Sequence, residues 1–286
     1  MSGLTIDLSG QAALVTGGGG GIGRAIAIRL AEAGCDVAVA DIVPERCDET
    51  AARIRETGRR ALALPTNVMD TAQVRAAIAQ MLAAFKRLDI LINNAGGVSR
   101  RDFVDQSERS WGRHVDINLT SMFAATAAAV PAMIAGGGGG SIVNVSSIEA
   151  TRAAPGFAVY AACKAGMESF TKSMAVELSG HRIRVNAIAP DHTVTPGTRA
   201  NRVGPVDPAG WQHPSPEAQD AMDRLVPLGR EGIDLECGDA AAFLCSPLAA
   251  YITGVVLPVD GGTSAAGGWH RGSDGAWTLA HGLKFS

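Results

Sequence analysis

"AALVTGGGGGIGRAIAIRLAEAG", residues 12–34, decides the fold. The apolar run AALVT (12–16) reads as a buried strand. The stretch GIGRAIAIRLAEAG that follows has helical spacing, and Gly34 stands just past its end, where a left-handed residue is needed. Between strand and helix lie Gly17 to Gly21 and then Gly23. A backbone without side chains can approach a pyrophosphate closely. The helix start then offers free N–H groups and a partial positive charge. A second run of five glycines, 136–140, precedes a strand instead of following one, and no helix start is aimed at it. It reads as a flexible helix-to-strand connection at the surface.

Outward from this stretch the pattern repeats. DVAVAD (36–41), ALALP (61–65) and DILIN (89–93) read as strands, with helical segments between them. Pro44 suits a first helical turn, Asp70 and Gln73 have capping-box spacing, and Gly58 stands just past a helix end. The rhythm continues with a helix around 107–135, the strand SIVNVS (141–146), a long helix across 157–179 and the strand IRVNAIA (183–189). Residues 191–226 break it. They are proline-rich and hold one short helix, with Ser215 as N-cap and Pro216 at its first position. An insertion this long reads as a substrate lid. A helix over 236–245 and the strand GVVLPVD (254–260) follow. Such alternation predicts an α/β fold, a doubly wound parallel sheet between two helix layers. No repeat and no linker divides it, so residues 1–286 are expected to form one domain, with 263–286 as a tail.

Composition narrows the function classes. A net charge of -3 with no basic run argues against nucleic-acid binding. The first residues lack a basic stretch followed by an apolar one, and no stretch has about 18 consecutive apolar residues, so neither a secretion signal nor a membrane span is expected. The five cysteines are odd in number and lack a C-x-x-C spacing. They read as reduced, buried thiols of a cytoplasmic protein. No cluster has metal-ligand spacing.

Asp41 ends the second strand, roughly 20 residues after the glycines. A carboxylate there accepts hydrogen bonds from the adenosine ribose hydroxyls and repels a 2′-phosphate. Gly20 precedes Gly21, so no basic side chain waits at that position for the phosphate. Both features favour NAD over NADP. Taken alone, the glycine pattern is also compatible with an ordinary turn.

The chemistry-bearing pattern is YAACK, Tyr160 to Lys164. Residues four apart share a helix face. A free phenol has a pKa of about 10, and a neighbouring ammonium lowers it toward a working range. Such a pair alone is common on solvated helices. Ser147, however, follows the strand SIVNVS at the sheet end where ligands gather, and NNAG (93–96) ends another strand. Asn118, in INLT (117–120), sits inside a helix, for which asparagine is mildly unsuited. Taken singly, Asn118 fits a buried hydrogen-bonding role and Ser147 a loop or cap role.

Together, T-G-x-x-x-G-I-G, N-N-A-G, the helix asparagine, a serine thirteen residues before Y-x-x-x-K, and ITGVVLPVDGG near the end resemble the short-chain dehydrogenase/reductase family. The resemblance covers residues 8 to 262. It implies a seven-stranded sheet, NAD as cofactor, a secondary alcohol or ketone as substrate, and often a homotetramer. It implies Tyr160 as general acid/base, Lys164 as the holder of the nicotinamide ribose, Ser147 as a partner of the reacting oxygen, and Asn118 as the holder of a relay water. Gly17, Gly21, Ile22 and Gly23 would cradle the phosphates. Asp41 and Ile42 would meet the adenosine ribose, Asn67 and Val68 the adenine, and Asn94, Ala95 and Gly96 the ribose side. Pro190, Thr193 and Thr195 would approach the nicotinamide.

Three positions depart from the family pattern: Asn67 for aspartate, Cys163 for serine, and Asp191 for glycine. The last changes both charge and backbone freedom beside the nicotinamide. Glu149 and His192 read either as selectors of a polar substrate or as a solvated loop pair. Trp211, Trp269 and Trp277 read as anchors of lid and tail, or the tail as partly disordered. Two other functions stay open: a 3-oxoacyl-carrier-protein reductase, for which SRR (99–101) is a thin basic hint, and a non-catalytic NAD-sensing protein.

Overall fold

The computed structural model describes residues 5–279. Its first half alternates as the pattern requires: β1 (Ala12–Thr16), α1 (Gly21–Glu32), β2 (Asp36–Asp41), α2 (Pro44–Glu56), β3 (Ala61–Pro65), α3 (Thr71–Phe85) and β4 (Ile90–Asn93). Asp70 caps α3 as expected, accepting from the Ala72 and Gln73 amides. The capping box itself does not close, because the Gln73 carbonyl oxygen accepts from the Asn67 amide instead.

The predicted helix around 107–135 is α4 (Glu108–Val115) and α5 (Ser121–Gly136), joined through a π-helical turn at Asp116–Thr120. The run from Glu108 to Gly136 is long and apolar enough to cross a membrane by length and composition. In this fold its Met122, Ala125, Ala129 and Met133 are buried in the core. Next come β5 (Gly140–Val145), α6 (Ala158–Glu177) and β6 (Ile183–Pro190). The 191–226 segment holds β7 (Thr193–Val194) and α7 (Pro216–Leu225), whose cap is Ser215 as predicted. After it come β8 (Gly232–Ile233), which pairs with β7, then α8 (Asp234–Cys245), β9 (Val256–Val259) and α9 (Thr263–Ala266). The tail adds an antiparallel pair that the sequence reading missed, β10 (His270–Arg271) with β11 (Trp277–Thr278).

Seven strands form one parallel sheet in the order β3-β2-β1-β4-β5-β6-β9. The central strands are covered on both faces, so their residues alternate between two cores. Ala13 and Val15 of β1 pack with Ile26 and Leu30 of α1 and Ala241 of α8. Ala12 and Leu14 pack with Ile78 and Met81 of α3 and Ala129 of α5. That two-sided burial is why the strands read as unbroken apolar runs. Strand order reverses between β1 and β4. The loops leaving their carboxyl ends therefore diverge and open a crevice, the place where such sheets bind ligands.

Trp277 is half-exposed beneath the Arg271 guanidinium, 4.5 Å from its ring centre, and β10 packs on α7. The tail thus touches α7 through its hairpin. The last part of the predicted tail, 280–286, lies outside the described residues.

Candidate active site

The crevice begins at the glycine loop. Gly17 takes φ 62°, and a Cβ there would come 2.8 Å from Asn94 Nδ2. A Cβ on Gly23 would overlap Gly17 O and Asn94 Nδ2. The loop is closed by hydrogen bonds that tie β1 to β4: Asn94 Nδ2 donates to Thr16 O and Gly17 O at 3.0 Å each, and the Asn94 and Ala95 amides donate to Thr16 Oγ1. Helix α1 starts at this loop with no side-chain cap and no acidic residue in its first turn. Its N–H groups and positive dipole end are left for an anion.

A cavity of about 400 Å³ lies over this loop. Gly17, Gly21, Ile22, Gly23, Asp41, Ile42, Asn67, Val68, Asn94, Ala95, Gly96 and Thr195 line it, so most of the predicted cofactor residues converge. Asp41 is fixed by the Gly19 and Val43 amides, each 3.0 Å from a carboxylate oxygen. A cradle of glycines under an uncapped helix, with a carboxylate at the next strand's end, fits a dinucleotide's pyrophosphate and adenosine ribose.

A second cavity, about 270 Å³, shares Ile22, Asn94, Gly96 and Thr195 with the first, and the two form one groove. Asn118, Ser147, Tyr160, Lys164 and Pro190 line its far end. Thr193 departs from the expectation: it lies outside both cavities, with its hydroxyl bonded to Asp191 O at 3.1 Å. The β7–β8 pairing holds that side chain under the loop, so only Thr195 reaches the groove.

Asn118 occupies the π turn between α4 and α5, a break in helix register that recurs at functional sites. Fully buried, it donates to Gly97 O and His114 O at 2.9 Å and accepts from the Gly97 amide at 3.1 Å. Tyr160 and Lys164 lie one turn apart on α6. Lys164 is 3% exposed, and its Nζ donates to Val145 O at 2.7 Å. Burial lowers its pKa to about 8. The Tyr160 phenol moves the other way. Burial raises it to about 12, a hydrogen bond with Ser147 opposes this, and the charges of Glu149 and Asp191 add to the rise. Here the expectation of a phenol acidified by its neighbour fails. Lys164 Nζ turns to a backbone carbonyl, 5.6 Å from the tyrosine ring centre, and desolvation dominates.

Charged groups crowd the far side of Ser147. Ser147 Oγ donates to Glu149 Oε2 at 2.8 Å, and Arg152 Nη2 donates to Glu149 Oε1 at 2.7 Å. Burial pushes the Glu149 carboxyl up, but the Arg152 and Ser147 bonds outweigh it and hold it below the usual range. Burial raises Asp191 despite His192 and Arg152. The glycine-to-aspartate departure leaves Asp191 outside the left-handed region. His192 beside it takes φ 37° instead.

Two participants escaped the sequence reading. Arg46 of α2 is 8% exposed and lines the first cavity. Its guanidinium donates to Gly204 O at 2.5 Å and Asn201 O at 2.8 Å, which ties the 191–226 segment over the glycine loop. Its only sequence signal was an arginine three residues into a helix, with nothing to mark its long-range partners. Arg152 was equally mute, an arginine in a loop.

Fold and site together define a nucleotide-dependent oxidoreductase of the doubly wound class. The family model described as enoyl-(acyl carrier protein) reductase matches residues 17–264. The chain belongs to the short-chain dehydrogenase/reductase family. It is 33% identical to 2-dehydro-3-deoxy-D-gluconate 5-dehydrogenase of Dickeya dadantii, over 90% of this chain and 97% of that one. It is 37% identical to a 3-oxoacyl-acyl-carrier-protein reductase of Staphylococcus aureus, over 88% and 97%. Among solved structures, carveol dehydrogenase from Mycobacterium avium, in complex with NAD, superposes with a TM-score of 0.83 at 31% identity, over 91% and 99%.

Proposed function

We propose that this chain is an NAD(H)-dependent oxidoreductase of secondary alcohols and ketones, with Tyr160 as the acid/base. The observation that carries the reading is the convergence of Ser147, Tyr160 and Lys164 at one end of a groove whose other end is the glycine loop and Asp41.

The glycine loop and the start of α1 would hold the pyrophosphate, Asp41 the adenosine ribose, and Lys164 the nicotinamide ribose. Bound there, NAD(H) supplies or accepts the hydride. In reduction Tyr160 gives its phenolic proton to the oxygen of the carbonyl, and Ser147 holds that oxygen. In oxidation the alcohol proton passes to Tyr160. Burial keeps the phenol protonated, so its proton is in place for reduction, and a positive charge brought beside it would lower its pKa toward the working range and favour the base role. Asn118 anchors the Gly97 turn and the helix break behind Lys164, where a relay water would sit.

The lining also supports the cofactor choice. Asp41 presents charge where a 2′-phosphate would go, and the basic Arg46 nearby is committed to lid carbonyls. This weighs against the 3-oxoacyl-carrier-protein reductase alternative, for which the Staphylococcus relative speaks and to which exposed Arg100 and Arg101 lend a small basic surface. The complete Ser147, Tyr160 and Lys164 set weighs against a pure sensor.

Residues 1–286 are read as one catalytic domain with 191–226 as substrate lid. We read the chain as a cytoplasmic homotetramer acting on small molecules, not on nucleic acid or membranes. Five buried free thiols, a near-neutral charge and the half-exposed Phe123, tilted against Phe170 with ring centres 4.8 Å apart, support that reading.

The test is an absorbance assay at the reduced-nicotinamide band, with NAD(H) against NADP(H) over a panel of secondary alcohols, sugars, steroids and 3-oxoacyl esters. Tyr160→Phe should lower kcat/KM roughly 10³-fold while leaving NADH binding intact. Full activity in that variant would defeat the reading.

A further inference from the structure

The groups beyond Ser147 have no part in the hydride step, yet they are tightly organised. Ser147 Oγ donates to Glu149 Oε2 at 2.8 Å. The other carboxylate oxygen is taken by Arg152, whose Nη2 also lies 3.7 Å from Asp191 Oδ1. The Asp191 side chain is 8% exposed. Its Oδ2 is buried with no hydrogen-bond donor, although His192 Nε2 stands 3.3 Å away, out of line for a bond.

This arrangement conflicts with a bare ketone or alcohol as substrate. To hold a carbonyl oxygen, Ser147 must turn its proton from Glu149 to the substrate. Glu149 Oε2 then loses its donor in a site where only 18% of the side chain is exposed. Arg152 is engaged on the other oxygen, and leaving a carboxylate oxygen unpaired there is costly. A donor on the substrate, within one hydrogen bond of the reacting oxygen, would replace the lost one. A hydroxyl on the neighbouring carbon meets that demand, because gauche vicinal oxygens lie about one hydrogen-bond length apart. Asp191 Oδ2 offers a second unfilled acceptor. A carboxylate or phosphate in its place would face Glu149 and Asp191, with Arg152 already neutralised between them.

We propose that the substrate is a vicinal diol or the matching α-hydroxyketone. The hydroxyl next to the reacting carbon donates to Glu149, and a further hydroxyl of a polyol donates to Asp191. Glu149 is thus a specificity-determining residue. The assignment rests on the Tyr160 reading above. In the oxidation, the carbinol C–H leaves as hydride to NAD⁺ and its O–H proton passes to Tyr160 in its phenolate form, which the bound cofactor's positive charge favours. The neighbouring hydroxyl is unchanged.

The test uses the full chain with NAD⁺ and matched pairs: butane-2,3-diol against butan-2-ol, and cyclohexane-1,2-diol, cis and trans, against cyclohexanol. The wild type should favour the better diol isomer by at least roughly tenfold in kcat/KM, since a site built around a hydroxyl rejects the analogue lacking it. Glu149→Ala should collapse that ratio toward one. Glu149→Gln, whose amide oxygen still accepts, should keep part of it. Equal use of diol and mono-alcohol by the wild type overturns the proposal without needing any variant, as does a ratio that survives Glu149→Ala. Turnover of no alcohol or ketone at all would instead remove the Tyr160 reading, and this proposal with it.

Discussion

Residues 17–21 and 136–140 are the same five letters, and they sit at opposite ends of the sheet. The first run leaves β1 at its carboxyl end and enters α1, and its backbone faces the cofactor cavity. The second leaves α5 and enters β5 at its amino end. There Gly137 takes φ 65° as the left-handed cap of α5, and Gly136 to Gly138 are exposed. The second run is also less loose than its letters suggest. Gly139 takes φ 84° with its Cβ position 2.6 Å from Arg182 O, and a Cβ on Gly140 would press on Met133 at 2.5 Å. Glycine content therefore does not define a site. The end of the strand it occupies does, because side chains and loops converge on a ligand only where the strand order reverses.

The comparison breaks most severely if a methyl group is tolerated in the first run. Gly23→Ala places a Cβ against Gly17 O, which must move the loop or the helix start. NADH affinity should fall about a hundredfold, close to 2.7 kcal/mol, as read by fluorescence titration. Unchanged affinity would mean that the loop does not cradle the cofactor.

A second test sharpens the electrostatics at that same end. The chain has two tyrosines, so Tyr251→Phe leaves Tyr160 as the single phenol. With its pKa raised to about 12 by burial, the folded, ligand-free protein should show little phenolate absorbance at about pH 11, where a free tyrosine is mostly ionised. Adding NAD⁺ should move that titration downward. A phenolate signal near pH 10 without ligand would restore the simple picture of acidification by Lys164.

How far these features were legible follows from the range of the forces involved. Strands buried on both faces announce themselves as apolar runs, and β1 to β6 lie within a residue or so of their expected positions. Asp41, Asn94 and Ser147 gather on one groove because they stand at or just past strand ends, where local order already implies convergence, and Asn118, Tyr160 and Lys164 reach it from helices. What escaped depends on contacts distant in sequence. Arg46 reaches the carbonyls of Asn201 and Gly204 across more than 150 residues. Thr193 was assigned to the nicotinamide but is turned away by pairing with a strand that lies beyond α7. The π turn at Asn118 was invisible because helix period tolerates one inserted residue. Lys164 lines the groove, yet its ammonium donates to the Val145 carbonyl rather than sitting against the phenol oxygen. Sequence spacing shows that two side chains share a face, but not which acceptor the ammonium chooses.

A smaller effect concerns cofactor choice. Asp41→Asn keeps an acceptor for the Gly19 amide and removes the charge. The preference for NADH over NADPH should shrink about tenfold, roughly 1.4 kcal/mol, measured as the ratio of kcat/KM values. An unchanged ratio would shift discrimination away from Asp41.

The smallest effects lie in the second run, and there the sign itself is informative. Gly139→Ala forces a side chain into the left-handed region and against Arg182 O, and should cost about 1–3 kcal/mol in chemical denaturation. Gly138→Ala, one residue earlier, meets nothing within 4 Å and has no positive φ. It should stabilise the fold by about 0.4–1 kcal/mol, because alanine leaves the unfolded chain fewer conformations to lose. Neither change should alter NADH affinity. A loss of cofactor binding in Gly138→Ala would show that the two runs communicate through β5, and the division between the two ends of the sheet would fall.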